Sequence, residues 1–229
     1  LYLVVRGLRS QRTICFALTG LVLGVGWYEY FGARLVNAIV LIYMLWQGAV
    51  TCRFKPAWWK FLATLLAVVL VVVAPLGLHY LDHPADLSAG WHRVSIAKPE
   101  WFVQEQDYFG VGPVALLWRQ IWRSISAFHY TLDPTFHYHA SMPLLDFVSG
   151  VLFLFGLVWA ATHWRERGVG LLLLWFGLAL IMGWVLTENP PSSQRMVIIT
   201  PAVALLVSLG LSWLVELGSG YVGPRAHWC

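Results

Sequence analysis

The sequence predicts an all-helical protein that crosses a membrane several times. Three observations carry that expectation. Only 11% of the residues are charged, where soluble domains carry about 25%, and the mean hydropathy is +0.68. The apolar residues gather into blocks near the length of about 20 residues that a bilayer core demands of a helix. The 14 Trp, 9 Tyr and 12 Phe crowd the ends of those blocks, as aromatic residues do at membrane–water interfaces.

Taken in order, six blocks are candidate spans: residues 13–30, 35–51, 61–80, 144–162, 169–187 and 196–217. Only Phe31, Gly32, Ala33 and Arg34 separate the first two, so a tight hairpin is expected at 29–34. The division that follows is a membrane part over 1–80, a polar loop over 81–143, and a second membrane part with a C-terminal tail over 144–229. The short loops holding Arg6, Arg9, Arg12, Arg53, Lys55, Lys60, Arg165, Arg167 and Arg225 contain most of the basic residues and only Glu166 and Glu216 as acids. Basic loops stay in the cytoplasm, so the polar segment 79–143 and the turns around Glu29 and Glu188 are expected on the outer side. Arg6, Arg9 and Arg12 lead into an apolar block with no small-residue cleavage site, so no signal peptide is read. The start at Leu1, without Met, reads as the later part of a longer protein.

Within the polar segment, 112–130 (GPVALLWRQIWRSISAFHY) has helical periodicity. Val114, Leu117, Ile121 and Ile125 recur at spacings of three and four, and Arg119 and Arg123 are an i, i+4 pair on one face. Two readings stand: an amphipathic helix lying in the outer interface with Trp118 and Trp122 as anchors, or a surface helix packed on the loop's own small core.

Three constellations could carry chemistry. The first is Tyr28-Glu29-Tyr30-Phe31-Gly32-Ala33-Arg34. Ionisable groups at membrane depth line cavities or pair with each other, so Arg34 either holds an anion such as a lipid phosphate or closes the turn onto Glu29. The second is the proline loop from Glu188 and Asn189 through Gln194 to Arg195. A cation opposes the dipole at a helix start. A bound anion would reverse that penalty, and a snorkelling interface arginine is the plainer account. The third is His129, Asp133, His137 and His139, whose spacing fits no standard zinc motif. Cys15, Cys52 and Cys229 form neither a disulfide framework nor a metal motif.

Absences narrow the function classes. No Walker A loop, nucleophile elbow or dinucleotide fingerprint is present. The middles of the six blocks lack Asp, Glu, Lys, Arg and His, which counts against an ion-coupled or proton-coupled transporter. A flippase of lipid-linked saccharides and a non-catalytic membrane scaffold remain as alternatives to an enzyme. No nucleic-acid partner is expected.

Four stretches carry a family resemblance: residues 20–34 (GLVLGVGWYEYFGAR), 83–96 (HPADLSAGWHRVSI), 127–156 (AFHYTLDPTFHYHASMPLLDFVSGVLFLFG) and 189–201 (NPPSSQRMVIITP). In that order they resemble the later half of family 39-like membrane glycosyltransferases of the GT-C fold, similar to dolichyl-phosphate-mannose protein mannosyltransferases and bacterial aminoarabinose transferases. The resemblance implies transfer of a sugar from a polyprenyl-phosphate donor in the membrane to a protein, lipid or glycan acceptor. It implies a bacterial plasma-membrane location with the site on the extracytoplasmic side. Its catalytic carboxylate would precede Leu1. It points to Arg34 and Arg195 for the lipid phosphate, with Tyr28, Glu29, Tyr30, Glu188, Asn189 and Gln194 beside them. Arg93, His137, His139 and Asp146 are its loop contacts. No metal ligand is assigned, and a divalent cation is the one cofactor left open.

Overall fold

The computed structural model describes residues 1–29, 31–52, 54–134 and 141–219. Every regular element among the described residues is helical, apart from an isolated antiparallel bridge between Ser95 and Thr187. The chain divides into two compact units, residues 1–93 and 94–229, and each is taken by itself.

The first unit opens with α1 (Tyr2–Ser10), which Gln11 ends in the left-handed region at φ 53°. Then follow α2 (Thr13–Val25), a 3-10 turn (Phe31–Ala33) and α3 (Arg34–Gln47), which runs on into a π-helical turn (Gly48–Cys52). The 27-residue α4 (Pro56–Asp82) is about 40 Å long at 1.5 Å per residue. It begins five residues before its apolar block because Pro56 sits in the first turn, where its missing N–H costs nothing. The shorter α5 (Pro84–Val94) closes the unit.

What joins α2 to α4 is a pair of glycines one turn apart. A Cβ on Gly20 would stand 2.6 Å from the Leu65 carbonyl oxygen, and one on Gly24 would stand 2.6 Å from Val72 Cβ. Small residues at i and i+4 let helix backbones approach closely, a device of helix pairs in lipid. Phe16 stacks on Phe61 at 4.5 Å, and buried Trp58 donates its indole N–H to the Met44 carbonyl.

In the second unit, α6 (Pro99–Phe109) and α7 (Pro113–Ser126) form a hairpin. Gly110 makes the turn at φ 63°, a conformation open to glycine without strain. Three apolar helices follow: α8 (Phe147–Thr162), α9 (Arg167–Leu180), which continues through a π-helical turn (Ile181–Val185), and α10 (Thr200–Ser219). The last helix starts four residues into its apolar block, because a 3-10 turn (Ser193–Met196) precedes it. Phe128, Phe153, Phe176 and Trp184 fill the centre, with the Phe128 ring 5.0 Å from Phe153 and 5.6 Å from Trp184. α8 and α10 cross at Gly156 and Gly210, where the two backbones touch. A Cβ on Gly156 would run into the Leu206 carbonyl, and one on Gly210 into the Leu152 carbonyl.

Among the described residues, four helical stretches are long and apolar enough to cross a membrane: Phe31–Val50, Pro56–Asp82, Arg167–Val185 and Thr200–Ser219. Thr13–Val25 and Phe147–Thr162 are apolar but shorter. Leu70, Val71 and Leu78 on α4 are 68%, 75% and 65% exposed. Such a continuous apolar surface is what lipid, rather than water, accommodates. The expected all-helical class is present; of the six expected spans, four are helices long and apolar enough to cross a membrane and two, Thr13–Val25 and Phe147–Thr162, are shorter.

The glycine crossing gives a sharp test. Gly156→Ala should lower the thermal unfolding midpoint in detergent, with an overpacking cost of about 1–3 kcal/mol. Gly177→Ala, where a Cβ meets nothing within 4 Å, should be neutral or slightly stabilising.

Candidate functional site

Three places collect polar chemistry. In the first unit, Arg34 opens α3. Its Nη1 donates to the Leu87 carbonyl at 3.0 Å and its Nη2 to the Tyr80 hydroxyl. The guanidinium lies 4.8 Å from the Phe31 ring centre, 4.9 Å from Trp27 and 5.5 Å from Tyr80, distances at which aromatic faces attract a cation. The expectation that Arg34 closes the turn onto Glu29 is not met: Glu29 is exposed, and the two hydrogen bonds of Arg34 go to Leu87 and Tyr80. Arg34 Nε, Trp27 Nε1 and Asn37 Nδ2 are buried without an acceptor. All three are donors, and Asn37 lies one helical turn beyond Arg34 on the same face. Tyr28 donates its hydroxyl to the Val72 carbonyl at 2.8 Å, one turn before Pro75, where the hydrogen-bond ladder of α4 is interrupted. Tyr30 lies outside the described residues.

The second place is the proline loop, held from several directions. Ile96 N–H donates to the Leu186 carbonyl and Glu188 N–H to the Val94 carbonyl, at 3.1 and 2.8 Å. Gln120, 5% exposed on α7, donates to the Thr187 carbonyl at 3.1 Å. Trp184 donates its indole N–H to the Ser192 carbonyl, and Asp133 accepts from the Ser193 N–H at 2.7 Å. Arg195 donates to the Glu188 carbonyl, while the Glu188 carboxylate pairs with Lys98 at 2.9 Å. Glu188, Asn189 and Arg195 are thus brought together, with Arg195 closing its own loop. Gln194 is exposed.

The third place is a cleft of about 220 Å³ between α6, α7 and the proline loop, lined by Trp101, Glu105, Tyr108, Arg119, Arg123 and Asn189 among others. It stands over a small core of Ile96, Trp101 and Leu116. The Arg119 guanidinium lies 3.4 Å from the Phe109 ring centre. Burial, and then the Arg119 charge, pull Arg123 below the ordinary arginine pKa, while Glu105 pulls it back up. No hydrogen bond or ion pair engages either guanidinium among the described residues.

Asp146 caps α8, accepting from the Ser149 N–H at 3.0 Å and from its hydroxyl at 2.6 Å. Those bonds hold its carboxyl below the ordinary aspartate pKa. Arg93 is exposed in the last turn of α5. His129 meets the Gly150 carbonyl at 3.2 Å, so His129 and Asp133 point to different partners. His137 and His139 lie outside the described residues. Among the described residues, no three His, Cys, Asp or Glu side chains group so as to hold a metal ion.

Compared with known protein families, curated proteins and solved structures, the chain finds no match. The Arg119–Arg123 cleft is the feature that motif reading passed over. Its signals were in the sequence: the paired arginines of WRQIWR, and a Gly110-x-Gly112-Pro113 turn that folds Glu105 back toward them. Lys98, the partner of Glu188 from ninety residues away, had no such signal.

Gln120 tests whether the proline loop is anchored from α7. Gln120→Met keeps the volume but leaves the Thr187 carbonyl short of a donor. An unsatisfied buried acceptor costs about 1–3 kcal/mol, so the thermal unfolding midpoint should fall. An unchanged midpoint would mean the loop is held without that bond.

Proposed function

We propose that this chain is part of an integral membrane glycosyltransferase. It moves a sugar from a polyprenyl-phosphate donor to a protein, lipid or glycan acceptor on the extracytoplasmic side. In this reading all six apolar helices lie in the membrane, the basic loops face the cytoplasm, and α6 and α7 stand on the outer face with α7 in the interface. The sequence resemblance supplies the reaction class.

The observation that carries the reading is the donor cluster at Arg34. The Arg34 Nε and the side-chain N–H groups of Trp27 and Asn37, buried without acceptors, are costly as they stand. A phosphate supplies both the negative charge and the acceptor oxygens they lack. During transfer, an acceptor heteroatom bonds to the anomeric carbon and the bond from that carbon to the phosphate oxygen breaks. The electron pair leaves with the phosphate, and the acceptor's proton goes to a general base that the resemblance puts on a separate outer loop. Fixed donors aimed at the departing oxygen stabilise the charge as it grows.

Removing a charge-assisted hydrogen bond costs about 1.5–3 kcal/mol. Arg34→Gln should therefore weaken polyprenyl-phosphate binding by the purified chain about ten- to a hundredfold. Tyr80→Phe, which removes only the strut to Nη2, should lower thermal stability and leave donor affinity close to that of the parent. Equal donor affinity in Arg34→Gln would reduce Arg34 to a latch between helices.

A further inference from the structure

Helix α7 has three distinct faces. Leu116, Gln120 and Ser124, four residues apart, are buried. Val114, Trp118, Trp122 and Ile125 are 80%, 64%, 58% and 51% exposed, and their spacing of four, four and three makes one continuous apolar stripe. Arg119 and Arg123 fall between these faces, each one residue past a stripe tryptophan. Both line the cleft, and no carboxylate pairs with them within hydrogen-bonding or ion-pair distance among the described residues. Two like charges one helical turn apart repel each other, and one of them is partly desolvated. An arrangement of this kind gains most from an anion. The single acid in the cleft, Glu105, leaves its net charge positive.

The cleft is smaller than the range of about 300–1,000 Å³ usual for drug-sized ligands. It suits one compact charged group with the rest of its molecule outside. That remainder has an apolar surface beside it: the exposed stripe flanks the arginines along the whole of α7. A soluble phosphate compound would leave the stripe in water. A lipid covers it with its acyl chains while its headgroup enters the cleft, the geometry of a helix lying in the headgroup layer.

We propose that the Arg119–Arg123 cleft is a binding site for the phosphate headgroup of an anionic membrane lipid. Arg119 and Arg123 grip the phosphate oxygens, and Tyr108 and Asn189 reach the polar substituent. Glu105 sets the affinity by opposing the charge. This site is independent of the sugar-transfer reading and of Arg34.

The test uses the whole 229-residue chain in an uncharged detergent, with dioctanoyl phosphatidylglycerol, dioctanoyl phosphatidylcholine and inorganic phosphate as three separate probes in calorimetric titrations. Phosphatidylglycerol should bind, and Arg123→Gln and Arg119→Gln should each weaken it about tenfold or more. Phosphatidylcholine, whose choline cation offsets its phosphate, should bind more weakly, and millimolar inorganic phosphate should not displace the glycerol lipid. Glu105→Gln should tighten binding about two- to tenfold by removing a like charge, a gain that a misfolded variant could not produce. Equal affinity in the parent and both arginine variants, or no gain in Glu105→Gln, would overturn the site. Displacement by inorganic phosphate at matched concentration would overturn the lipid assignment and leave a soluble-anion site.

Discussion

Two backbone hydrogen bonds, from Ile96 to Leu186 and from Glu188 to Val94, fix the second unit's polar region. The loop they pin contains Pro190 and Pro191, which have no N–H to donate, and Asn189 at φ 51°, a left-handed conformation that asparagine tolerates better than most residues. Such a segment cannot satisfy its backbone from within, and burial makes each unpaired group costly. Its partners therefore come from elsewhere: Gln120 from α7, Asp133 from the segment after it, Trp184 from the turn before, and Arg195 from the turn after. The bridge puts Asn189 at the rim of the cleft, so cleft and loop share one support.

The cations in this chain are placed according to what surrounds them. Arg34 is ringed by aromatic faces and held by two hydrogen bonds, with donors to spare. Arg195 spends a donor on a carbonyl of its own loop, and Lys98 neutralises Glu188. Arg119 and Arg123 line an open cleft with one carboxylate nearby. Charge in a region bordered by apolar helices is expensive unless it is paired or put to use. Their engagement is graded: Lys98 and Arg195 are tied to Glu188, whereas Arg119 and Arg123 have no hydrogen bond or ion pair among the described residues.

Much of the helical framework could be read from the chain. The apolar blocks and the helical periodicity of 112–130 follow local rules. The α7 helix shows the limit of those rules. Interfacial helix and packed surface helix were both open from its periodicity, and its structure has features of each, with Leu116 in a small core and Trp118 exposed. Periodicity reports that faces differ, while burial of one face depends on what folds back over it. The site was less legible for the same reason. Arg34 stood out by its charge beside an apolar block, yet its partners Tyr80 and Leu87 are about fifty residues away. Glu188 drew notice as a neighbour of Arg195, but its carboxylate went to Lys98, a pairing set by the Ser95–Thr187 bridge. Asp146, a candidate contact by resemblance, is occupied as a helix cap.

We propose that the hairpin of α6 and α7 stands on the outer face of the membrane, where it would meet lipid headgroups, and that the basic loops stay in the cytoplasm. Asp107 and Lys55 are both exposed and report the two sides. In a background with Cys15, Cys52 and Cys229 replaced by serine, Asp107→Cys in intact cells should react with a membrane-impermeant maleimide. Lys55→Cys should react only after the cells are permeabilised. Labelling of Lys55→Cys in intact cells with protection of Asp107→Cys would put the polar hairpin in the cytoplasm and contradict the account.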